Sequence, residues 1–236
     1  MARERKIPRW RPMSTDRDRM LATIRAGVSR SATKDTPKPA PLVPQRGQLQ
    51  GRALVDLFRN QAETAAATVA EVARAEDVPA AVAEYLRGRN LPPQVRLALD
   101  ARVAALDWKS QPMLETSSGA SDGNDTTSVT PVLAGVAETG TLMVHSGRPT
   151  PNTLHFLPET HIAVVYSDEL VGTYEDAWTA LRAKLGGDLS NGALPRTVTL
   201  VTGPSRSADI GKILLMGAHG PKRLHIILVD AKQPTH

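Results

Sequence analysis

THIAVVY, residues 160–166, carries no formal charge and is rich in β-branched side chains. A short apolar run of that kind reads as a buried strand. The segment after it decides the class. Thr173 and Asp176 have the spacing of a capping box, and Tyr174, Trp178, Leu181 and Leu185 then fall on one stripe before Gly186. That pattern predicts a helix over 174–185. Beyond it, TVTLVT (197–202) and RLHIILV (223–229) repeat the strand signature. Upstream, residues 132–137 and 141–144 flank Glu138-Thr139-Gly140, a hairpin-like or strand–turn–strand arrangement. Strands alternating with helices predict an α/β domain with a mostly parallel central sheet flanked by helices. No internal repeat is visible.

The preceding hundred residues supply the rest. Leu54, Leu57, Phe58, Ala65, Val69 and Val72 have helical spacing, which predicts a helix over 52–74. A second helix is expected over 79–87, with Gly88 as its stop. Val95, Leu97 and Leu99 alternate as a strand would, and 103–108 fits either class. Residues 116–128, TSSGASDGNDTTS, are almost wholly small and polar. They read as a loop without core content, either a lid or binding loop or a tolerated insertion.

Charge divides the chain. The net charge is +5, yet residues 1–52 hold 13 Lys/Arg against 4 Asp/Glu, leaving 16 against 20 for the remainder. The basic character belongs to an N-terminal arm, while the body is mildly acidic. Within that arm, Met20, Leu21, Ile24 and Val28 mark a helix over 15–29 that cannot hold itself in water and needs a surface to dock on. A proline-rich linker spans 31–50. The expected organisation is a basic helix and linker over 1–50 and an α/β domain over 51–236. Such an arm reads first as a solvated tail, and otherwise as one that touches nucleic acid or an anionic partner surface. No aromatic interleaving or zinc-finger spacing supports nucleic-acid recognition. With no cysteine, the chain holds neither a disulfide nor a thiolate-bound iron–sulfur cluster. No run reaches the roughly 18 apolar residues of a membrane span, and the N-terminus lacks the apolar core of a secretory signal. The expectation is a soluble, cytoplasmic protein.

Two clusters carry chemistry. In VTGPSRSADI, Gly203 and Pro204 turn the chain after an apolar run, and Ser205, Arg206, Ser207 and Asp209 come at once after them. Glycine allows close backbone approach, hydroxyls and N–H groups bind oxygen anions, and arginine anchors them. Asp209 would orient Arg206 or take a ligand hydroxyl. At the C-terminal end of a parallel strand, this is where an open α/β sheet binds ligands. The second cluster, Glu138-Thr139-Gly140-Thr141, offers a carboxylate, two hydroxyls and a flexible backbone, with Glu138 as a candidate base or nucleophile. His219, inside GAHGP, is a candidate donor or proton shuttle. A nucleophile elbow is excluded because its second glycine is Ser207. A P-loop is excluded because its first glycine is Arg206 and Ile213 comes after Lys212. No G-x-G-x-x-G is present. His145, His155 and His161 lack metal-ligand spacing, so no metal site is expected.

The blocks GVAETGTLMV, LPETHIAVV, VTGPSRSADI and GAHGPKRLHIILVD, in this order, resemble the lactate-utilisation (LUD) domain family, in particular its small stand-alone lactate utilization protein C type. The likeness covers roughly residues 50–230, and GPSR-x-ADI…G-x-HGP is its most specific part. It implies an α/β fold similar to the sugar-phosphate isomerase and CoA-transferase-like group. It also implies work alongside two iron–sulfur partner proteins in oxidising L-lactate to pyruvate, a role in which a cysteine-free chain is the cluster-free component. The alternative is an independent isomerase- or CoA-transferase-like enzyme acting on a phosphorylated or CoA-linked substrate. The chain departs from the family pattern at Ser207, where threonine is common, and at Gly211, where an acid is common.

Overall fold

The computed structural model describes residues 14–31, 44–185, 194–210, 213–217 and 219–230; at 14–16, 28–31, 207–210 and 213–216 only the backbone is described. The chain forms two compact units, residues 1–42 and 43–236. The first contains helix α1, Ser14–Ser31, as the apolar stripe predicts. The second begins before Gly51, because a short 3-10 turn at Gln45–Gln48 buries Gly47.

Among the described residues, the second unit holds twelve strands. Six form one sheet in the order β1 (Thr68–Val72), β12 (Arg223–Val229), β7 (Thr160–Tyr166), β4 (Thr127–Pro131), β2 (Gln94–Leu97), β3 (Glu115–Ser118), and every pairing in it is parallel. β7 is buried along its whole length, which is why it reads as one continuous apolar run. Its alternate side chains face two cores. Ile162, Val164 and Tyr166 pack with Val78, Val82 and Leu86 of helix α3 (Val78–Gly88). Ala163 and Val165 pack with Phe58 and Ala62 of helix α2 (Gly51–Thr64) and with Leu142 and Val144. Each large side chain so buried contributes roughly 1.5–3 kcal/mol. Helices α4 (Ala101–Ala104) and α5 (Asn152–Phe156) are single turns that bury Val103 and Leu154 respectively.

A second, four-stranded sheet lies on the α2 side, in the order β8 (Leu170–Val171), β5 (Ala134–Val136), β6 (Thr141–His145), β9 (Val198–Val201). β5 and β6 form the antiparallel hairpin expected around Gly140. Helix α6 (Tyr174–Lys184) covers the far face through Ala177 and Leu181. Its capping box forms as predicted: the Asp176 N–H donates to Thr173 Oγ1 at 3.3 Å, and the Thr173 N–H donates back to the Asp176 carboxylate at 3.2 Å.

Four expectations need correction. The helix expected over 52–74 ends at Thr64, and Val69 and Val72 belong to β1. Ala66 adopts a left-handed φ of 68°, which stops the helix and turns the chain into the strand. The stretch 116–128 is not a single loop, since its ends lie in β3 and β4. The strand at 198–201 joins the small sheet, antiparallel to β6, rather than the central one. The strand expected around Val95 stops at Leu97, so Leu99 lies beyond it. Beyond these, Arg206–Ile210 forms a strand that the sequence reading did not include, β10, paired antiparallel with β11 (Ile213–Met216).

Candidate functional site

The two clusters meet at the C-terminal turn of α2. Gly140 has φ +66° and Gly203 has φ +77°, both in the left-handed region. A Cβ on Gly140 would overlap backbone atoms of Gln61 and Ala62, and one on Gly203 would overlap the carbonyl of Ala65. Both glycines therefore serve contact between backbones. Leu142 and Val201 face each other in the β6–β9 register, so the next pair, Thr141 and Thr202, is aligned across the strands. Their hydroxyls bond at 2.7 Å. Thr141 also contacts Thr139 at 2.7 Å and the Tyr174 hydroxyl at 2.9 Å, and Thr139 donates to Tyr174 at 3.0 Å. Four hydroxyls from three segments thus form one hub. Thr141 is buried at its centre, Thr139 and Tyr174 are half-buried, and Thr202 is exposed.

Charged and polar groups surround this hub. Glu138 places Oε1 3.4 Å from the Tyr174 N–H, at the first turn of α6. Arg206 is exposed and donates from Nη2 to the Ala65 carbonyl at 3.0 Å. A guanidinium has five N–H donors, so this bond orients Arg206 at the helix end and uses one of them. Ser205 is tied to the 217–221 turn three times: its N–H donates to Pro221 O at 2.8 Å, its carbonyl accepts from Gly217 N at 2.9 Å, and its Oγ accepts from His219 N at 3.2 Å. The structure therefore brings together Glu138, Thr139, Gly140, Thr141 and Gly203 around α2, with Arg206 beside them, and separately joins Ser205 to His219. The side chains of Ser207 and Asp209 lie outside the described residues.

A different cluster escaped the sequence reading. At the C-terminal ends of β2 and β4 the chain leaves toward opposite faces. After β2 it enters α4, whose Val103 joins the α3-side core; after β4, Val132 joins the α2-side core. This is the switch point at which open sheets usually hold ligands. Here a buried arginine fills it. Arg102 donates from Nε and Nη2 to both Asp100 oxygens at 2.9 Å, and from Nη1 to the Val132 carbonyl at 2.7 Å and to Glu169. Burial alone would raise the Asp100 carboxyl, but Arg102 holds it below the ordinary range. Glu169 also accepts from the Tyr166 N–H at 3.0 Å. The cluster is a saturated strut across three strand ends.

Three other histidines are core residues. His155 and His161 stack edge to face at 5.4 Å, and His161 Nε2 lies 2.7 Å from Thr130 Oγ1. His225 stacks flat on Tyr85 at 3.9 Å. Desolvation pushes His155 and His225 down to about 4 and His161 to about 3. Among the described residues, no group of three or more His, Cys, Asp or Glu could hold a metal. A cavity of about 290 Å³ opens at the start of β2 and β3, lined by Gln94, Glu115, Asn124 and Asp125, and holds none of the candidate residues.

Comparison with known proteins agrees with the four sequence blocks. A sequence model of the LUD domain matches residues 55–229. The lactate utilization protein C of Geobacillus thermodenitrificans is 37% identical over 97 residues, covering 40% of this chain and 39% of that protein. That of Bacillus subtilis is 33% identical over 95 residues, covering 40% and 38%. The chain thus matches about two fifths of the length of these relatives. A crystal structure of a DUF162 family protein from Deinococcus radiodurans superposes with a TM-score of 0.56 at 22% identity, covering 77% of this chain and all of the other. At that identity the likeness shows a shared fold.

Proposed function

Because the chain belongs to the LUD domain family, we propose that it serves lactate utilisation as a cluster-free component that binds a small carboxylate where its two signature blocks meet. One observation carries the reading: the Thr141–Thr202 bond at 2.7 Å joins blocks 61 residues apart into one half-exposed polar surface. Arg206 anchors the anion, with Ser205 as its hydrogen-bonding companion. Glu138, Thr139, Gly140 and Thr141 form the facing wall. His219 stands on the Ser205 side, its N–H donating to Ser205 Oγ. The system is cytoplasmic and oxidises L-lactate to pyruvate, with iron–sulfur proteins as the redox partners. Among the described residues no helix is long and apolar enough to cross a membrane.

The test is calorimetry with L-lactate on the intact chain and on Arg206→Ala. Loss of a charge-assisted anchor of about 1.5–3 kcal/mol lowers affinity roughly 10- to 100-fold. Arg206→Lys, which keeps the charge, separates binding from loss of the Ala65 contact. Unchanged affinity and unchanged lactate-dependent growth in Arg206→Ala would refute the anchor. The basic arm is the partner-docking element in this reading, and deleting residues 1–42, which spares the second unit, should abolish co-purification of the iron–sulfur proteins.

A second reading rests on Glu138, whose half-buried carboxylate stands beside the hub at the start of α6. In an independent isomerase- or CoA-transferase-like enzyme it would be the base or nucleophile. Peptide masses after incubation with acyl-CoA decide this: an adduct on Glu138 favours the enzyme, and its absence favours the binding component.

A further inference from the structure

The hub of hydroxyls has a hydrogen-bond polarity that emerges from counting protons. Each of Thr139, Thr141, Tyr174 and Thr202 carries one hydroxyl proton and accepts through its lone pairs. Four contacts join them: Thr139–Thr141 at 2.7 Å, Thr139–Tyr174 at 3.0 Å, Thr141–Tyr174 at 2.9 Å and Thr141–Thr202 at 2.7 Å. Every contact consumes one proton. Four protons serve four contacts, whichever way each bond runs, and none remains to point outward. With Thr141 buried at the centre, the outward faces of Thr139, Tyr174 and Thr202 present lone pairs alone.

We infer that this hub is an acceptor-only surface that selects a 2-hydroxy acid over the corresponding 2-oxo acid. The inference deepens the carboxylate-binding reading of the same site and rests on it. A ligand whose carboxylate lies on Arg206 turns its second carbon's substituent toward the hub. A hydroxyl there donates to a waiting lone pair. A ketone oxygen meets lone pairs with lone pairs, and accommodating it requires breaking a contact inside the hub to free a proton. A ketone oxygen facing these lone pairs forfeits the bond that the hydroxyl makes and sets like partial charges together, so the oxo acid binds more weakly.

The count also predicts opposite outcomes for two substitutions. Tyr174→Phe removes one proton and two contacts, leaving three protons for two contacts. One proton is released to face the ligand, and the preference for the hydroxy acid shrinks or reverses. Thr202→Val removes one proton and one contact, leaving a closed ring of three protons and three contacts. The surface stays acceptor-only and the preference survives, even if both affinities fall.

The experiment is calorimetric titration of the intact chain with L-lactate and with pyruvate, for the wild type, Tyr174→Phe, Thr202→Val and Arg206→Ala. The expected result is at least about tenfold tighter binding of L-lactate in the wild type. That ratio should be retained in Thr202→Val and fall at least about threefold in Tyr174→Phe. A merely structural role for Tyr174 lowers both affinities together and leaves the ratio alone, which would overturn the inference. So would equal binding of the two acids by the wild type. If both acids bind through Arg206 with a ratio near one, the anion site stands and the polarity falls. If neither acid binds, both fall.

Discussion

The strut around Arg102 and the hub around Thr141 are both polar, both centred on a buried residue and both built from segments distant in sequence. They differ in what is left over. Arg102 is 6% exposed, and its guanidinium is held by two carboxylates and a carbonyl. The hub uses all its protons but keeps unused lone pairs, and it reaches the surface through Thr139, Tyr174 and Thr202. A saturated buried network fixes strand ends against one another; an unsaturated half-buried one is able to meet a ligand. Here the switch point of the sheet, where a ligand is expected by rule, is occupied by structure. The family blocks put their polar groups elsewhere, at the end of α2.

Breaking the strut should have the largest effect on the fold. Glu169→Ala leaves Arg102 paired with Asp100 alone and takes the acceptor from two buried donors, Arg102 Nη1 and the Tyr166 N–H, at about 1–3 kcal/mol for each. Thermal unfolding should show a drop of roughly 10 °C. A variant that melts within a degree of the wild type would reduce the strut to ornament.

Acid should act next, and on the core rather than on either network. His155 is 2% exposed, and desolvation lowers it to about 4 from an ordinary 6.5. Its folded-state value lies below the unfolded one, so the unfolded chain binds more protons between those limits. Stability is complete above pH 6.5 and is lost as pH falls toward 4, by roughly 3 kcal/mol for this residue alone. His225, also lowered to about 4, adds to the same window. Urea titrations at pH 7 and pH 5 should show the loss, and His155→Phe should flatten it. A slope unaltered by that substitution would assign the acid sensitivity to other groups.

Disturbing the hub from behind should act on fold and ligand together. Gly140→Ala sets a Cβ against the backbone of α2 at a left-handed φ, where the strain alone costs about 1–3 kcal/mol and the overlap with Gln61 and Ala62 adds to it. If hub and strut differ as described, this variant, measured while still folded, loses ligand affinity, whereas folded Glu169→Ala keeps it. Equal affinities in the two would erase the distinction between strut and hub.

The legibility of these features in the sequence has physical reasons. β7 and β12 are readable to the residue because parallel strands buried on both faces are continuous apolar runs. Helix α6 is readable because a capping box and a terminal glycine are local signals. The α2–β1 joint is not, because Ala65, Val69 and Val72 keep helical spacing by coincidence and the left-handed residue that ends the helix is Ala66, not a glycine. β3 is missed because all four of its residues are exposed at a sheet edge, so its composition matches a loop. The two signature blocks stand out through glycines beside hydroxyls. Their junction does not, because Tyr174 reads as part of a helix stripe and the Thr141–Thr202 alignment belongs to strand register. The strut left no trace, since Arg102 and Glu169 are 67 residues apart without any periodicity between them.

Whether the two blocks act as one site is tested most directly by a double-mutant cycle on L-lactate affinity, using Thr141→Val, Thr202→Val and the pair. Two hydroxyls in direct contact at 2.7 Å should couple by about 0.5–3 kcal/mol, the double variant losing less than the sum of the singles. Strict additivity, or singles that leave affinity untouched, would contradict a shared ligand surface.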